Sequence, residues 1–232
     1  ITNRLKEIQE VVANINESGI IPREKTGPFG GGLEIEYDRL KREHDEIWSS
    51  TKEELKTINF YKEKTHKNEG NVVSNDTYVL ENKSFKNLKK DLNKIIRDYF
   101  NEIVCTSDSI IPYVTQSWLN YTSINQYHHK HNHSNSYLSG IFYIDADKTV
   151  DKVTFHKPHS AGIVLEVGTY NTFNSKSWWF PVETGDVVLF PSSVSHGVDK
   201  KKGTNTRISL AFNVFFKGTI GSNKGLTELV LE

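Results

Sequence analysis

The sequence predicts a mainly β protein with helices (α+β): a double-sheet jelly roll behind a helical N-terminal region. Three observations carry this. From residue 111 onward, eight short segments rich in Val, Ile, Phe, Tyr and Thr are punctuated by Gly, Pro, Asn and Ser, with no helical pattern between them. Just before them, Phe85, Leu88, Leu92, Ile95, Ile96 and Ile103 form an apolar stripe at helical spacing. At the start, Leu5, Ile8, Val11, Val12 and Ile15 recur with the same period.

The elements follow in order. Residues 1–70 form a helical extension, and residues 71–232 the β domain with one long supporting helix at 84–104. The extension breaks at Ser18-Gly19 and runs through Pro22 into Gly27-Pro28-Phe29-Gly30-Gly31-Gly32. A phosphate loop would need a Lys-Ser/Thr pair that is absent, so these glycines read as a connector. Leu40, Ile47 and Trp48 mark a second helix, and Ser50-Thr51-Lys52-Glu53 resembles a capping box opening a third through Leu55 and Ile58. The extension could cover the barrel, form a lid or support a homodimer; its pattern does not choose. Residues 65–74 are polar and read as loop, 76–80 as a short strand, and Ser84 as the N-cap of the long helix. The strand candidates are 111–122, 125–131, 138–145, 152–156, 162–168, 178–182, 186–191 and 206–216.

Composition narrows the function. Lys+Arg and Asp+Glu number 29 each, giving zero formal charge. That balance argues against gripping nucleic-acid backbone or an anionic membrane. The single Cys105 allows no internal disulfide, so a reducing, cytoplasmic setting is expected. No apolar run approaches membrane-spanning length and no signal peptide is evident. There is no Met, so the initiator is expected to be missing, trimmed or processed. The informative number is nine His, seven of them between 128 and 196 and four within 128–133.

In Tyr127-His128-His129-Lys130-His131-Asn132-His133, alternation on a strand would point His129, His131 and His133 the same way. Imidazoles two residues apart at a strand end can converge on one metal ion; a solvated polar turn is the bland alternative. Gly185 then opens a buried apolar strand that delivers His196 just beyond its end, and in a jelly roll this strand can neighbour the first cluster. Eleven residues later, Arg207 and Ser209 share a face of the final strand. An Arg aimed into a barrel needs an anionic partner, since an unpaired buried charge costs several kcal/mol. A bidentate carboxylate matches it, either internal or from a ligand. His156 and His159 read as a loop at the barrel mouth, Trp178-Trp179-Phe180 as strand core, and Lys200-Lys201-Lys202 as a charged turn.

Together these features resemble the Fe(II)/2-oxoglutarate-dependent dioxygenase superfamily. The likeness is to its prolyl-hydroxylase-like side, in a branch of oxygenases known mostly from bacterial and phage sequences. It covers residues 75–216. Its pieces are Asp76-Thr77-Tyr78-Val79-Leu80, the long helix, Gln116-Ser117-Trp118-Leu119-Asn120, His128-x-x-His131-x-His133, Ser139-Gly140-Ile141-Phe142-Tyr143, Phe190-Pro191-Ser192 through His196, and Arg207-Ile208-Ser209-Leu210-Ala211-Phe212-Asn213. The resemblance implies a double-stranded β-helix, a facial triad on Fe(II), and open positions for 2-oxoglutarate and O2. His131 and His196 fit the two His of that triad. Arg207 with Ser209 fits the grip on the far carboxylate of 2-oxoglutarate, Tyr143 a tyrosine reaching the same carboxylate, and Tyr121 a further cosubstrate contact. The implied reaction hydroxylates a C–H bond of a second substrate while 2-oxoglutarate becomes succinate. That second substrate is a peptide or prolyl side chain or a small molecule; a nucleic-acid base is disfavoured by the charge balance.

One departure stands out. Two residues after His131 comes His133, not Asp or Glu. Either the triad is His131, His133 and His196, or a carboxylate comes from elsewhere, with Asp145, Asp147 and Glu166 as conceivable sources; His129 with His131 is another pair. A three-His set would be tuned differently from a carboxylate-containing one. Two other readings compete. A cupin-type three-His metalloenzyme without 2-oxoglutarate suits Gly185 through His196 but gives Arg207-x-Ser209 no role. A non-catalytic jelly-roll module would hold a structural, coordinatively closed ion.

Overall fold

The structure, a computed structural model, describes Glu54, Ile58, Lys62 and residues 64–107, 109–157, 166–171 and 174–232. The expected helices at 5–15 and 40–48, the glycine connector, the capping box, His44, His159 and residues 162–165 lie outside the described residues.

Among the described residues, eleven strands pair in antiparallel fashion: β1 (Thr65–Lys67), β2 (Val72–Ser74), β3 (Ile111–Thr122), β4 (His128–His131), β5 (Leu138–Asp145), β6 (Lys152–His156), β7 (Ser177–Pro181), β8 (Val187–Pro191), β9 (Ser195–Val198), β10 (Arg207–Ile220) and β11 (Leu229–Leu231). The larger sheet runs β1-β2-β3-β10-β5-β8, with β11 added on β10; the smaller runs β4-β9-β6-β7. This is the double-stranded β-helix.

The sheet is built on β10 and β3, whose pairing runs from Arg207 opposite Thr122 to Lys217 opposite Ile111. Side chains alternate between the two faces. Leu210, Phe212 and Val214 point to one side, where they meet Leu119, Tyr121 and Phe142 and the stripe Leu88, Leu92 and Ile96 of α1 (Lys86–Tyr99). Burying each such side chain is worth about 1.5–3 kcal/mol, and this layer fixes the helix to the sheet. The other face of the sheet turns toward the smaller sheet, over a second core of Tyr143, Val153, Phe155, Val182, Val188, Phe190 and Val194.

Several local expectations are corrected. Residues 65–74, expected as loop, contain β1 and β2; β2 gains its stability by pairing with β3 at Val72–Tyr121 and Val73–Asn120. Residues 76–80 are not a strand. Val79 and Leu80 are both fully buried, in the tight turn Val79–Glu81. Only an isolated bridge joins Tyr78 to Ser117. Ser84 is not the helix cap: Asn82 accepts from the Ser84 amide at 2.9 Å, and the Glu54 carboxylate accepts from the amides of Asn87 and Leu88, both at 2.9 Å. A negative charge there also suits the helix dipole. The helix ends in a wider turn, Phe100–Val104, closed by Cys105 in left-handed backbone. Residues 166–168 form no strand.

Gly140 sits on β5 between Phe212 of β10 and Leu189 of β8. A methyl group there would run into the Phe212 ring and lie 2.8 Å from Leu189 Cδ2. Gly140→Ala is therefore expected to destabilise the fold by about 1–3 kcal/mol through overpacking. Thermal unfolding followed by circular dichroism checks this; an unchanged Tm would show that the Phe212 pocket yields without cost.

Candidate metal centre

The smaller sheet carries the histidines. His131 on β4 stands directly opposite His196 on β9, with a register shift between His128 and His131. Gly197 permits this close pairing, since a Cβ there would lie 3.0 Å from the His128 carbonyl and 3.2 Å from that of His129. His196 thus lies on a strand of its own, not beyond the end of β8. His133 follows β4, and its amide donates to the Ser192 carbonyl at 3.0 Å. Ser192 is held in turn by a buried hydroxyl chain, 2.8 Å to Ser139 and 2.8 Å to Ser136, with Ser139 donating to Asn213 Oδ1 at 3.0 Å.

The three imidazoles of His131, His133 and His196 converge, each with one nitrogen within 4.8 Å of the others. Second partners orient two of them. His131 Nδ1 lies 2.8 Å from the His129 carbonyl and His196 Nδ1 3.1 Å from the Val194 carbonyl. A carbonyl oxygen only accepts, so each Nδ1 carries the proton and each Nε2 presents a lone pair. The rings also stay neutral. Burial pushes His131 below its usual value, His133 down to about 4 and His196 well below, with His131 adding to the effect on His133 and His196. Neutral imidazoles with free lone pairs are what a divalent metal requires.

The bulge breaks the expected alternation of His129, His131 and His133. His128 stacks on His131 with ring centroids 4.5 Å apart, while His129 Nδ1 approaches Glu69 at 3.8 Å. No Asp or Glu lines the cavity among the described residues. Asp147 accepts from Thr149 outside it, and Asp145 ends β5 opposite Ile208. The structure therefore brings together three His and none of the carboxylates considered as substitutes.

Arg207, Ser209 and Tyr143 line the same cavity. Arg207 is 3% exposed, donates to Thr122 Oγ1 at 3.2 Å and to the Lys152 carbonyl at 3.4 Å, and leaves Nε without a partner. No ion pair to Arg207 occurs among the described residues. The nearby buried carboxylate, Asp151, is engaged elsewhere: Lys201 Nζ lies 3.0 Å from its Oδ1, a charge contact between two buried side chains. Tyr143 is fully buried, which pushes its phenol above the usual range and keeps it protonated despite Arg207.

Tyr121 is not brought to this cavity. It lies on the helix side of β3, and its hydroxyl donates to the Ile58 carbonyl at 3.3 Å. The cavity-facing residues of β3 are its neighbours: Trp118, Asn120, and Thr122 beneath Arg207. Sequence reasoning did not single these out as site residues, because the β3–β10 register decides the face. His66 lies on β1, and His156 on β6.

The fold and site thus define a double-stranded β-helix with a three-His cluster able to hold a metal and a buried, ion-unpaired arginine in the same cavity. Residues 116–213, which contain all of these groups, match the family described as "Putative 2OG-Fe(II) oxygenase". The resemblance to that superfamily therefore holds over residues 116–213. No curated protein matches the chain. Among solved structures, the chain is similar to the non-heme alpha ketoglutarate dependent epimerase SnoN from nogalamycin biosynthesis, at 12% identity and TM-score 0.50, covering 74% of each chain. It is also similar to a 2OG-Fe(II) oxygenase family oxidoreductase from Burkholderia pseudomallei (13% identity, TM-score 0.49, 69% of this chain and 76% of that one). A third is HygX from Streptomyces hygroscopicus with nickel, 2-oxoglutarate and hygromycin B bound (14% identity, TM-score 0.48, 69% and 77%). The likeness to SnoN is one of fold. No described helix is long and apolar enough to cross a membrane.

The cluster makes folding pH-dependent. Burial, reinforced by His131, pushes His128 down to about 3, as it pushes His133 to about 4. In the unfolded chain both titrate near 6.5, so below that pH the unfolded state binds more protons. Their contribution is intact above pH ~6.5 and is lost as pH falls toward those folded-state values. The Tm of the metal-free protein is expected to drop between about pH 7 and about pH 5, and less steeply in His128→Asn. A Tm that rises on acidification would refute burial as the governing cause.

Proposed function

We propose that this protein is an Fe(II)- and 2-oxoglutarate-dependent oxygenase. It hydroxylates a C–H bond of a second substrate with O2 while 2-oxoglutarate loses CO2 and becomes succinate. The observation that carries this reading is Arg207: a buried cation without an anionic partner among the described residues, in the cavity that also holds the three His. Such a charge is costly unless a ligand neutralises it. A dicarboxylate with one end on the metal and the other on Arg207 would do so.

His131, His133 and His196 would hold the iron through their free nitrogens. Bound there, Fe(II) supplies the oxidative chemistry with O2, which no side chain of the chain can perform. Arg207 and Ser209 would take the far carboxylate, and the protonated Tyr143 would donate to it. Val153, Phe190 and Ile141 wall the cavity and exclude water. An open groove beside the triad, lined by His66, Asn68, Thr77 and Trp118, gives the second substrate its approach. A peptide or prolyl side chain, or a small molecule, fits this reading. Residues 1–70 would be an extension to the catalytic unit 71–232.

The cupin-type alternative is favoured by the lack of a carboxylate among the cavity residues. It leaves Arg207 without purpose, and the two readings separate on product: succinate forms in air only under the first. Under argon, Fe(II) and 2-oxoglutarate together are expected to give a weak visible charge-transfer band. Arg207→Ala should weaken 2-oxoglutarate binding by at least about thirtyfold while metal affinity holds. Metal-loaded protein with no band and no 2-oxoglutarate affinity would overturn the proposal.

A further inference from the structure

Lys201, Asp151 and Asn205 form a triangle in the turn that leads into β10. Lys201 Nζ lies 3.0 Å from Asp151 Oδ1 and donates to Asn205 Oδ1 at 2.8 Å, and Asn205 Nδ2 donates to Asp151 Oδ2 at 3.3 Å. The side chains of Lys201 and Asp151 are each 1% exposed. None of the three lines the metal-centre cavity.

The triangle has the parts of a reaction. An ammonium only donates and a carboxylate only accepts, so the Asn205 amide is held with its carbonyl on the amine and its NH2 on the carboxylate. The amine stands beside the carbon it would attack, and the carboxylate beside the nitrogen that would leave. The two oxygens of Asp151 differ. Oδ2 also accepts from the Asp147 amide at 2.9 Å, whereas Oδ1 makes no hydrogen bond, although the ammonium is its neighbour. One oxygen anchors the carboxylate and the other is free to take a proton. The amine is held in place from both sides of its backbone: Lys201 N donates to the Gln126 carbonyl at 2.8 Å, and the Lys201 carbonyl accepts from Asn125 N at 2.9 Å. Gly203 packs directly on the reacting groups. A Cβ there would lie 2.9 Å from Lys201 Nζ, 2.8 Å from Asn205 Oδ1 and 2.6 Å from Val150 Cγ2.

Two charges taken out of water carry a desolvation cost that their attraction has to repay. A reaction that turns both into neutral groups removes that cost. A buried amine with a base beside it is also an activated nucleophile, and fixing it against the amide makes the attack effectively unimolecular.

We propose that Lys201 and Asn205 become joined by an isopeptide bond, with Asp151 as the acid–base residue. The Lys201 ammonium gives one proton to Asp151, and the freed lone pair on Nζ attacks Asn205 Cγ. The Nζ–Cγ bond forms and the Cγ–Nδ2 bond breaks. A second Nζ proton ends on the departing nitrogen, which leaves as ammonia on the partly exposed side of Asn205. One neutral amide and one neutral carboxylic acid replace the ion pair. Nothing is oxidised or reduced, and no metal or cofactor takes part, so the inference stands apart from the 2-oxoglutarate reading. The bond would close the turn just before Arg207. Asp151 also precedes Lys152, whose carbonyl accepts from Arg207 at 3.4 Å, so the cross-link would brace the guanidinium from two sides.

The test is the mass of the full chain, purified folded and then measured in denaturant. It should lie about 17 Da below the mass of the sequence, the loss of one ammonia. Lys201→Arg and Asp151→Asn, which keep the side-chain shape or charge but remove the nucleophile or the base, should each carry their full sequence mass. Digestion with trypsin locates the bond: the dipeptide Lys201-Lys202 should stay attached to the peptide Gly203–Arg207 after the chain between them is cut. Wild-type protein that keeps its full mass after prolonged incubation at neutral pH would overturn the proposal. So would a loss of ammonia that persists in Lys201→Arg, because that marks a cyclic imide formed by Asn205 on its own backbone.

Discussion

Everything in this molecule depends on the phase of the β3–β10 pairing. Side chains alternate with a strict period of two, so a slip of one residue would exchange the faces of the larger sheet. In the observed register, Leu210, Phe212 and Val214 meet the helix while Arg207, Ser209 and Ala211 meet the cavity. A slipped register would bury a guanidinium against Leu88 and Leu92 and expose three large apolar side chains to the other sheet. Packing on one face and chemistry on the other are therefore set by one constraint. The amphipathic stripe of α1 stabilises the site without touching it.

The same phase explains why some of the site was legible and some was not. His131, His133 and His196 could be picked out because three ligating side chains crowd a short stretch and a strand end. Arg207 stood out because a cation in an apolar strand demands an explanation. Tyr121 is a candidate through the resemblance alone, and likeness along the chain does not decide a face. Its partner Ile208 does, and Ile208 points to the helix. Asn120 and Thr122 carry no signal of their own; they become site residues only through cross-strand pairing. β1 and β2 are three residues each, and β1 is polar, so their pattern is that of a loop until β3 supplies the edge on which β2 builds. The missing signal in each case is a tertiary partner, which overrides local preference in strands more than in helices.

Two buried cations show how the protein separates structure from function. Lys201 and Arg207 are both nearly inaccessible, and Arg207 donates to the carbonyl of Lys152, the residue after Asp151. Only Lys201 takes its carboxylate, with Asn205 bridging the same pair at 2.8 Å to Lys201 Nζ and 3.3 Å to Asp151 Oδ2. That pair is closed and needs nothing further. Arg207 receives only neutral oxygens from Thr122 and Lys152, which orient the guanidinium without cancelling its charge. Under the proposed function, neutral acceptors hold it ready for a ligand, whereas a carboxylate would have satisfied it.

No carboxylate lines the cavity among the described residues, which extends this logic to the metal end. A divalent ion held by three neutral imidazoles would keep its full double charge, and Arg207 would add a third positive charge in a cavity walled by Ile141, Val153 and Phe190. Electrostatics at such short range and low dielectric are strong. A dianion bridging the two ends lowers that excess more than a monoanion or a neutral ligand can. A triad containing Asp or Glu would already have spent part of the attraction within the protein. Under the proposed function, the His at position 133 and the Arg at position 207, which has no ion pair among the described residues, are two halves of one preference for a doubly charged ligand. The neutral overall balance of the chain conceals it.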